Sequence, residues 1–322
     1  MTDAARPLRF GLAGTGFWAA ITHAPALAST PGVEFAAVWG RNAAAAAELA
    51  DRHAISAHRD FAAFLADVDA VAFSVPPDVQ SELAIAAAAA GKHLLLEKPI
   101  ALSEPAAEAL ARSVNAAGVA SVVFFTARFQ PAVRNWLAWV TGQDGWHGGA
   151  AVWLGAALRE SSPFNTPWRH DKGSLWDLGP HAVALLLASL GPVAAVTADR
   201  GIADVTHLVL HHSGGATSTV TVTLSAPAAA GWTELYVWGE PGRSVMPADT
   251  GDPVAALRLA LAELAENARS GRTDHPCDVR IGLDVVRVLG QAQRQLDGAG
   301  GVGEPSAGEP SAGEPSAGGS LP

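Results

Sequence analysis

Gly91-Lys92-His93-Leu94-Leu95-Leu96-Glu97-Lys98-Pro99 is a short apolar run that ends on two opposite charges and a proline. The alanine-rich residues 84–90 before it read as a helix stopped by Gly91, and Ser103 after it is placed to cap another. A strand with this continuous apolar character belongs inside a parallel sheet, covered by helices on both faces. Ligands of such sheets gather outside the carboxyl ends of the strands, which puts Lys98 at the mouth of a crevice.

Upstream, the β-like run Leu8-Arg9-Phe10-Gly11-Leu12-Ala13 passes at once into Gly14-Thr15-Gly16-Phe17-Trp18-Ala19, before a helical pattern that reaches toward Leu27. This matches G-x-G-x-x-G/A in the strand-to-helix context it requires. The first glycine permits the tight turn, the second lets a pyrophosphate approach the backbone, and Ala19 allows close helix–strand packing. Pro25 is expected to bend or shorten the helix. Residues 33–39 read as the second strand and 43–52 as its helix, with Gly40-Arg41-Asn42 between them. An NAD site of this kind carries an acid here to hold the ribose hydroxyls, yet residues 39–47 contain no carboxylate. Arg41 offers a donor fork for a 2′-phosphate and Asn42 a neutral donor, so NADP(H) is the expected cofactor, with NAD(H) the alternative.

Residues 70–75 form another buried strand that breaks at Pro76-Pro77, followed by a helix over 79–90, a helix over 106–117 and a strand over 119–125. This alternation predicts a doubly wound parallel sheet of the Rossmann type. From Pro131 the pattern changes. A helix over 132–140 leads into strand-like runs at 150–157, 193–198, 205–211, 217–224 and 234–238, with Ser213-Gly214-Gly215 a hairpin turn. The fold class is therefore α/β, with a C-terminal α+β domain built on a mainly antiparallel open sheet and helices near 253–269 and 279–296. The expected division is 1–127 for the dinucleotide-binding domain, 128–298 for the substrate domain and 299–322 for a disordered tail. That tail includes three copies of Gly-Glu-Pro-Ser-Ala, a low-complexity pattern without large apolar residues.

At 322 residues the chain exceeds the length at which a single core usually divides. Lysine and arginine number 21 against 31 acids, and without Glu304, Glu309 and Glu314 the net charge is still about −7. Such a balance disfavours nucleic acid as a partner. Cys277 is the only cysteine, which excludes an intrachain disulfide and a cysteine-based zinc site. The first residues lack a secretory pattern and the apolar stretches are interrupted well short of ~20 residues, so a cytoplasmic protein without membrane contact is expected.

Four segments in this order resemble the Gfo/Idh/MocA family of nicotinamide-dependent oxidoreductases over residues 8–296: the glycine-rich turn, Glu97-Lys98-Pro99, Arg128-Phe129-Gln130-Pro131, and Trp168-Arg169 leading into Leu175-Trp176-Asp177-Leu178-Gly179-Pro180-His181. The resemblance implies that Lys98, Asp177 and His181 face the nicotinamide as catalytic residues. It also implies a cofactor site drawn from Gly14, Thr15, Gly16, Phe17, Trp18, Arg41, Asn42, Ser74, Pro76, Glu97, Lys98, Arg128, Trp168 and Arg169. A sugar, cyclitol or related hydroxy or keto compound is the implied substrate, and a homo-oligomer, dimer or tetramer, the implied assembly, formed through the outer face of the second sheet. This chain departs from the family where Asp171-Lys172 precede Gly173 in place of a glycine run, and where Gln80 replaces a frequent histidine, a change expected to alter contacts to the cofactor.

Asp177 and His181 are four apart at what reads as one helix start, hence on one face. Taken alone, Asp177 reads as a helix-capping acid and His181 as a core histidine; the full motif turns them into a pair. Hydride transfer at a carbinol carbon must be coupled to proton movement on its oxygen. Histidine is the expected proton carrier, with Lys98 the alternative acid and otherwise a donor to the developing oxyanion. Trp153, Trp168, Trp176 and Trp232 are candidates for stacking on a ring or for core. Two other readings remain open: a metal site from His170, Asp171, Asp177 and His181, and a non-catalytic nucleotide-binding sensor of the same fold.

Overall fold

A computed structural model of the chain describes residues 6–248 and 251–299; the Gly-Glu-Pro-Ser-Ala repeats lie outside them. The elements of the first part are β1 (Leu8–Ala13), α1 (Ala24–Ser29), β2 (Val33–Trp39), α2 (Ala43–His53), β3 (Ser56–His58), α3 (Phe61–Ala66), β4 (Ala70–Phe73), α4 (Pro77–Ala89), β5 (His93–Glu97), α5 (Glu104–Ala117) and β6 (Ser121–Phe124). All pair in parallel in the order β3-β2-β1-β4-β5-β6. Leu94, Leu95 and Leu96 of β5 are fully buried, as the apolar run requires. The order reverses between β1 and β4, the position at which such sheets open a ligand crevice. Asn42 caps α2 by accepting from the amides of Ala44 and Ala45, and Ser103 caps α5 through the amide of Ala106.

A π-helical turn, Ala19–His23, leads directly into α1, and Pro25 is the second residue of α1.

The second part contains α6 (Pro131–Thr141), β7 (Trp146–Leu154), α7 (Pro167–Asp177), α8 (Gly179–Leu190), β8 (Val193–Arg200), β9 (Thr206–His212), β10 (Thr217–Thr223), β11 (Trp232–Gly239), β12 (Gly242–Val245), α9 (Pro253–Ser270) and α10 (Val279–Ala299). Its sheet runs β12-β11-β7-β10-β9-β8, antiparallel except for the β7–β10 pair. Ala151, Val220, Val222, Leu208, Leu210, Leu235 and Val237 are buried on one face, and α8, apolar on nearly every side, packs there against β7 and β10. The opposite face carries Trp232 and Trp238, which are 59% and 48% exposed. Helix α9 returns to pack on α1, β5 and β6 of the first sheet. Among the described residues, no helix is long and apolar enough to cross a membrane.

One expectation is corrected. Asp177 and His181 do not share a helix: Asp177 ends α7, His181 lies in the first turn of α8, and Leu178 separates them. Pro180 explains the break, because it has no N–H and its ring crowds the carbonyl four residues back.

Candidate active site

A cleft of about 830 Å³ opens at the carboxyl ends of the first sheet and is closed on its far side by the 155–178 segment. Gly14 sits at positive φ with its α-carbon against the Ser74 carbonyl, so any side chain there would collide with backbone. That contact draws the ends of β1 and β4 together. Gly16 lines the cleft, and a side chain on it would meet nothing within 4 Å. The open space over a glycine at the head of a helical turn suits a pyrophosphate. Gly40 is fully committed in another way: a β-carbon there would stand 2.7 Å from the Thr15 methyl. Arg41, next to it, lines the cleft, is exposed, and has no ion-pair or hydrogen-bond partner among the described residues.

Glu97 and Lys98 leave β5 toward the same cleft. Glu97 Oε1 accepts from Trp18 Nε1 at 2.7 Å and lies 2.9 Å from Nε2 of fully buried His23. Gln80, also buried, donates from Nε2 to the carbonyls of Glu97 (2.7 Å) and Pro99 (3.3 Å), while its Oε1 accepts from the Glu97 amide (2.8 Å). Gln80 lines the cleft and at the same time clamps the strand end that carries Lys98. Donating to two carbonyls and accepting from an amide assigns which end of the Gln80 side chain is nitrogen.

Lys98 Nζ donates to the backbone carbonyl of Asp177 at 2.7 Å and to its Oδ1 at 2.9 Å. Arg169 Nε donates to Asp177 Oδ2 at 2.8 Å, and its Nη1 donates to Phe164 O and Thr166 Oγ1, both at 3.1 Å. The guanidinium also lies over the rings of Trp168 and Phe164. Burial pushes the Asp177 carboxyl up, but Lys98 and Arg169 outweigh it and hold the group well below the usual carboxylate range. His181 is held down at about 3, by burial first and then by the charge of Lys98. Its ring stacks on Trp153 with centroids 6.4 Å apart and makes no hydrogen bond among the described residues. The arrangement therefore combines a cation with one N–H uncommitted, a buried carboxylate, and a neutral imidazole with free nitrogens.

Gly16, Phe17, Trp18, Arg41, Ser74, Pro76, Glu97, Lys98, Trp168, Arg169, Asp177 and His181 all line this cleft. Gly14 and Thr15 lie behind it, and the Asn42 side-chain oxygen is engaged as the α2 cap. Arg128 stands elsewhere, donating to the carbonyls of Ala184 and Pro276 at 3.3 Å. Phe164, Thr126, Gly155 and Leu224 also line the cleft, and the sequence singled out none of them. The four residues considered for a metal do not converge: Asp177 faces two cations, and His170 bonds Asn165 at 2.6 Å.

A family model described as an oxidoreductase family with an NAD-binding Rossmann fold matches residues 8–125, and one described as a GFO/IDH/MocA C-terminal domain matches residues 147–245. The chain is 27% identical over 320 residues to 4-carboxy-2-hydroxymuconate-6-semialdehyde dehydrogenase of Sphingobium sp. strain SYK-6, covering 91% of this chain and 100% of that one. It is 30% identical over 277 residues to D-xylose 1-dehydrogenase (NADP(+)) 2 of Haloferax volcanii, covering 79% and 81%. The solved structure of levoglucosan dehydrogenase in complex with NADH and levoglucosan shares the fold at a TM-score of 0.78, with 19% identity over 90% of this chain and 97% of that one.

Proposed function

Because the chain belongs to the Gfo/Idh/MocA oxidoreductase family, we propose that it interconverts a carbinol and a carbonyl on a sugar, cyclitol or related compound at the expense of NADP(H). The observation that carries this reading is the juxtaposition of Lys98, Asp177 and His181 at the mouth of a cleft whose other end has an open glycine turn. A bound nicotinamide supplies the two-electron hydride acceptor or donor. Lys98, fixed by two bonds to Asp177, directs its remaining N–H at the substrate oxygen and stabilises negative charge there. His181, neutral and without a hydrogen bond among the described residues, is the base that accepts the hydroxyl proton in oxidation. Asp177 keeps Lys98 and Arg169 in place, so it orients the site without itself taking a proton. Phe164 and Trp168 narrow the entrance and exclude water.

The preference for NADP(H) rests on the end of β2. Thr15 leaves no room for a side chain at residue 40, and Arg41 faces the cleft with its donors uncommitted. A charge-assisted hydrogen bond to a 2′-phosphate is worth about 1.5–3 kcal/mol, or roughly 10- to 100-fold in affinity. Fluorescence titration with the two reduced cofactors tests this: NADPH binds more tightly by that factor, and Arg41→Ala removes the difference. Equal affinities in the parent protein contradict the assignment. The outer face of the second sheet, with Trp232 and Trp238, is the surface on which we propose two copies pair.

A further inference from the structure

We propose that the reacting ring of the substrate is uncharged or carries an amine, with no carboxylate or phosphate on it, and that Asp171 is the residue that enforces this selection. The inference rests on the dehydrogenase reading above and concerns the charges left over around the cleft once internal pairs are counted. Three cations line it: Arg41, Lys98 and Arg169. Arg41 follows β2, and Lys98 follows β5, with β1 and β4 between them in the sheet, so their strand ends stand about 14 Å apart. Arg41 therefore belongs to the nucleotide end.

The same cleft is lined by four carboxylates, Asp78, Glu97, Asp171 and Asp177, against these three cations, an excess of negative charge. Arg169 has each of its nitrogens engaged, by Asp177, Phe164 and Thr166, and its guanidinium lies near the rings of Phe164 and Trp168. A substrate carboxylate would find no free fork there. Lys98 retains one N–H, which serves one hydroxyl or carbonyl oxygen but not an additional anionic group. Asp171 lines the cleft from α7, is exposed, and makes no hydrogen bond or ion pair among the described residues. Neighbouring Lys172 does not neutralise it, since adjacent helical residues point apart. A free carboxylate accepts from hydroxyl or ammonium donors and repels anions, so it selects by attraction and by repulsion together. The apolar walls, Pro163, Phe164, Trp168, Leu178 and Leu224, suit the C–H faces of a ring.

The test compares matched sets, each an aldose or cyclitol with its carboxylate and its amino analogue, using the enzyme with cofactor and measuring both kcat/KM and binding to the reduced-cofactor complex. Neutral and amine members are turned over, and the carboxylates are worse by roughly tenfold or more, a like-charge penalty already discounted for the exposure of Asp171. Asp171→Asn narrows the gap between carboxylate and neutral members several-fold and removes any preference for the amine. Carboxylates used as well as their neutral partners, or a gap unchanged in Asp171→Asn, would overturn the inference while leaving the dehydrogenase reading intact. If no member of any set binds or reacts although NADPH binds, both the inference and the sugar-dehydrogenase reading fall.

Discussion

His181 is neutral because burial and the ammonium of Lys98 both oppose a second positive charge, and this has consequences on two pH scales. An ordinary histidine base loses activity as pH falls through about 6.5. With its pKa held at about 3, His181 stays competent well below that point, so kcat/KM for alcohol oxidation shows no acid limb near neutrality. Initial rates between about pH 5 and 8 decide this; a halving centred near 6.5 contradicts it. Stability moves the other way. Between roughly 6.5 and the folded value the unfolded chain binds a proton at this position and the native protein does not, so stability falls as pH is lowered through that window. His181→Asn flattens that slope in urea melts. Lys98, Asp177 and His181 stand out in the sequence because each belongs to a short motif, and all three line the cleft. Phe164, Thr126 and Leu224 could not, since they reach the cleft from separate loops and strand ends with ordinary residue types. Gln80 was noticed as a departure, but its grip on Glu97 and Pro99 depends on how α4 packs beside β5.

At the level of elements, the junction of α7 and α8 carries both Asp177 and His181. Gly173 interrupts α7 with φ 67° and ψ −167°, a conformation that residues with a β-carbon reach only under strain. Gly173→Ala is therefore expected to destabilise the protein by about 1–3 kcal/mol, read as a lower urea midpoint at unchanged slope. Because Ser174 to Asp177 follow directly, turnover falls as well; full stability with full activity in this variant would show that the backbone turn is not required. The sequence does not reveal α7, because Pro167, Gly173 and a polar run hide its period, and Asp177 and His181 consequently read as one helix. By contrast, β1, β2, β4, β5 and β6 are legible in the sequence, since strands buried on both faces must be continuously apolar. Short edge pieces such as β3 and β12 carry too little side-chain pattern to stand out.

For the whole molecule, the cleft is lined by Gly16, Ser74 and Lys98 from the first part and by Trp168, Asp177 and His181 from α7 and α8 of the second. The parallel sheet was readable as a doubly wound order; the β7–β10 parallel pair within an otherwise antiparallel sheet was not, because pairing partners far apart in sequence leave no local trace. If the outer face of that second sheet joins two copies, light scattering gives at least a dimer, and Trp238→Glu shifts it to monomer; a parent protein that is already monomeric removes this role. The measurement that bears most directly on the account is reduction of nicotinamide cofactor by a panel of neutral aldoses and cyclitols, run in parallel with the parent protein and Lys98→Met. The account predicts turnover of at least one panel member by the parent, and in the variant near-normal NADPH affinity with turnover lower by about 10²–10³. A parent protein that binds NADPH but oxidises no member of the panel, or a Lys98→Met variant that turns over at the parental rate, contradicts it.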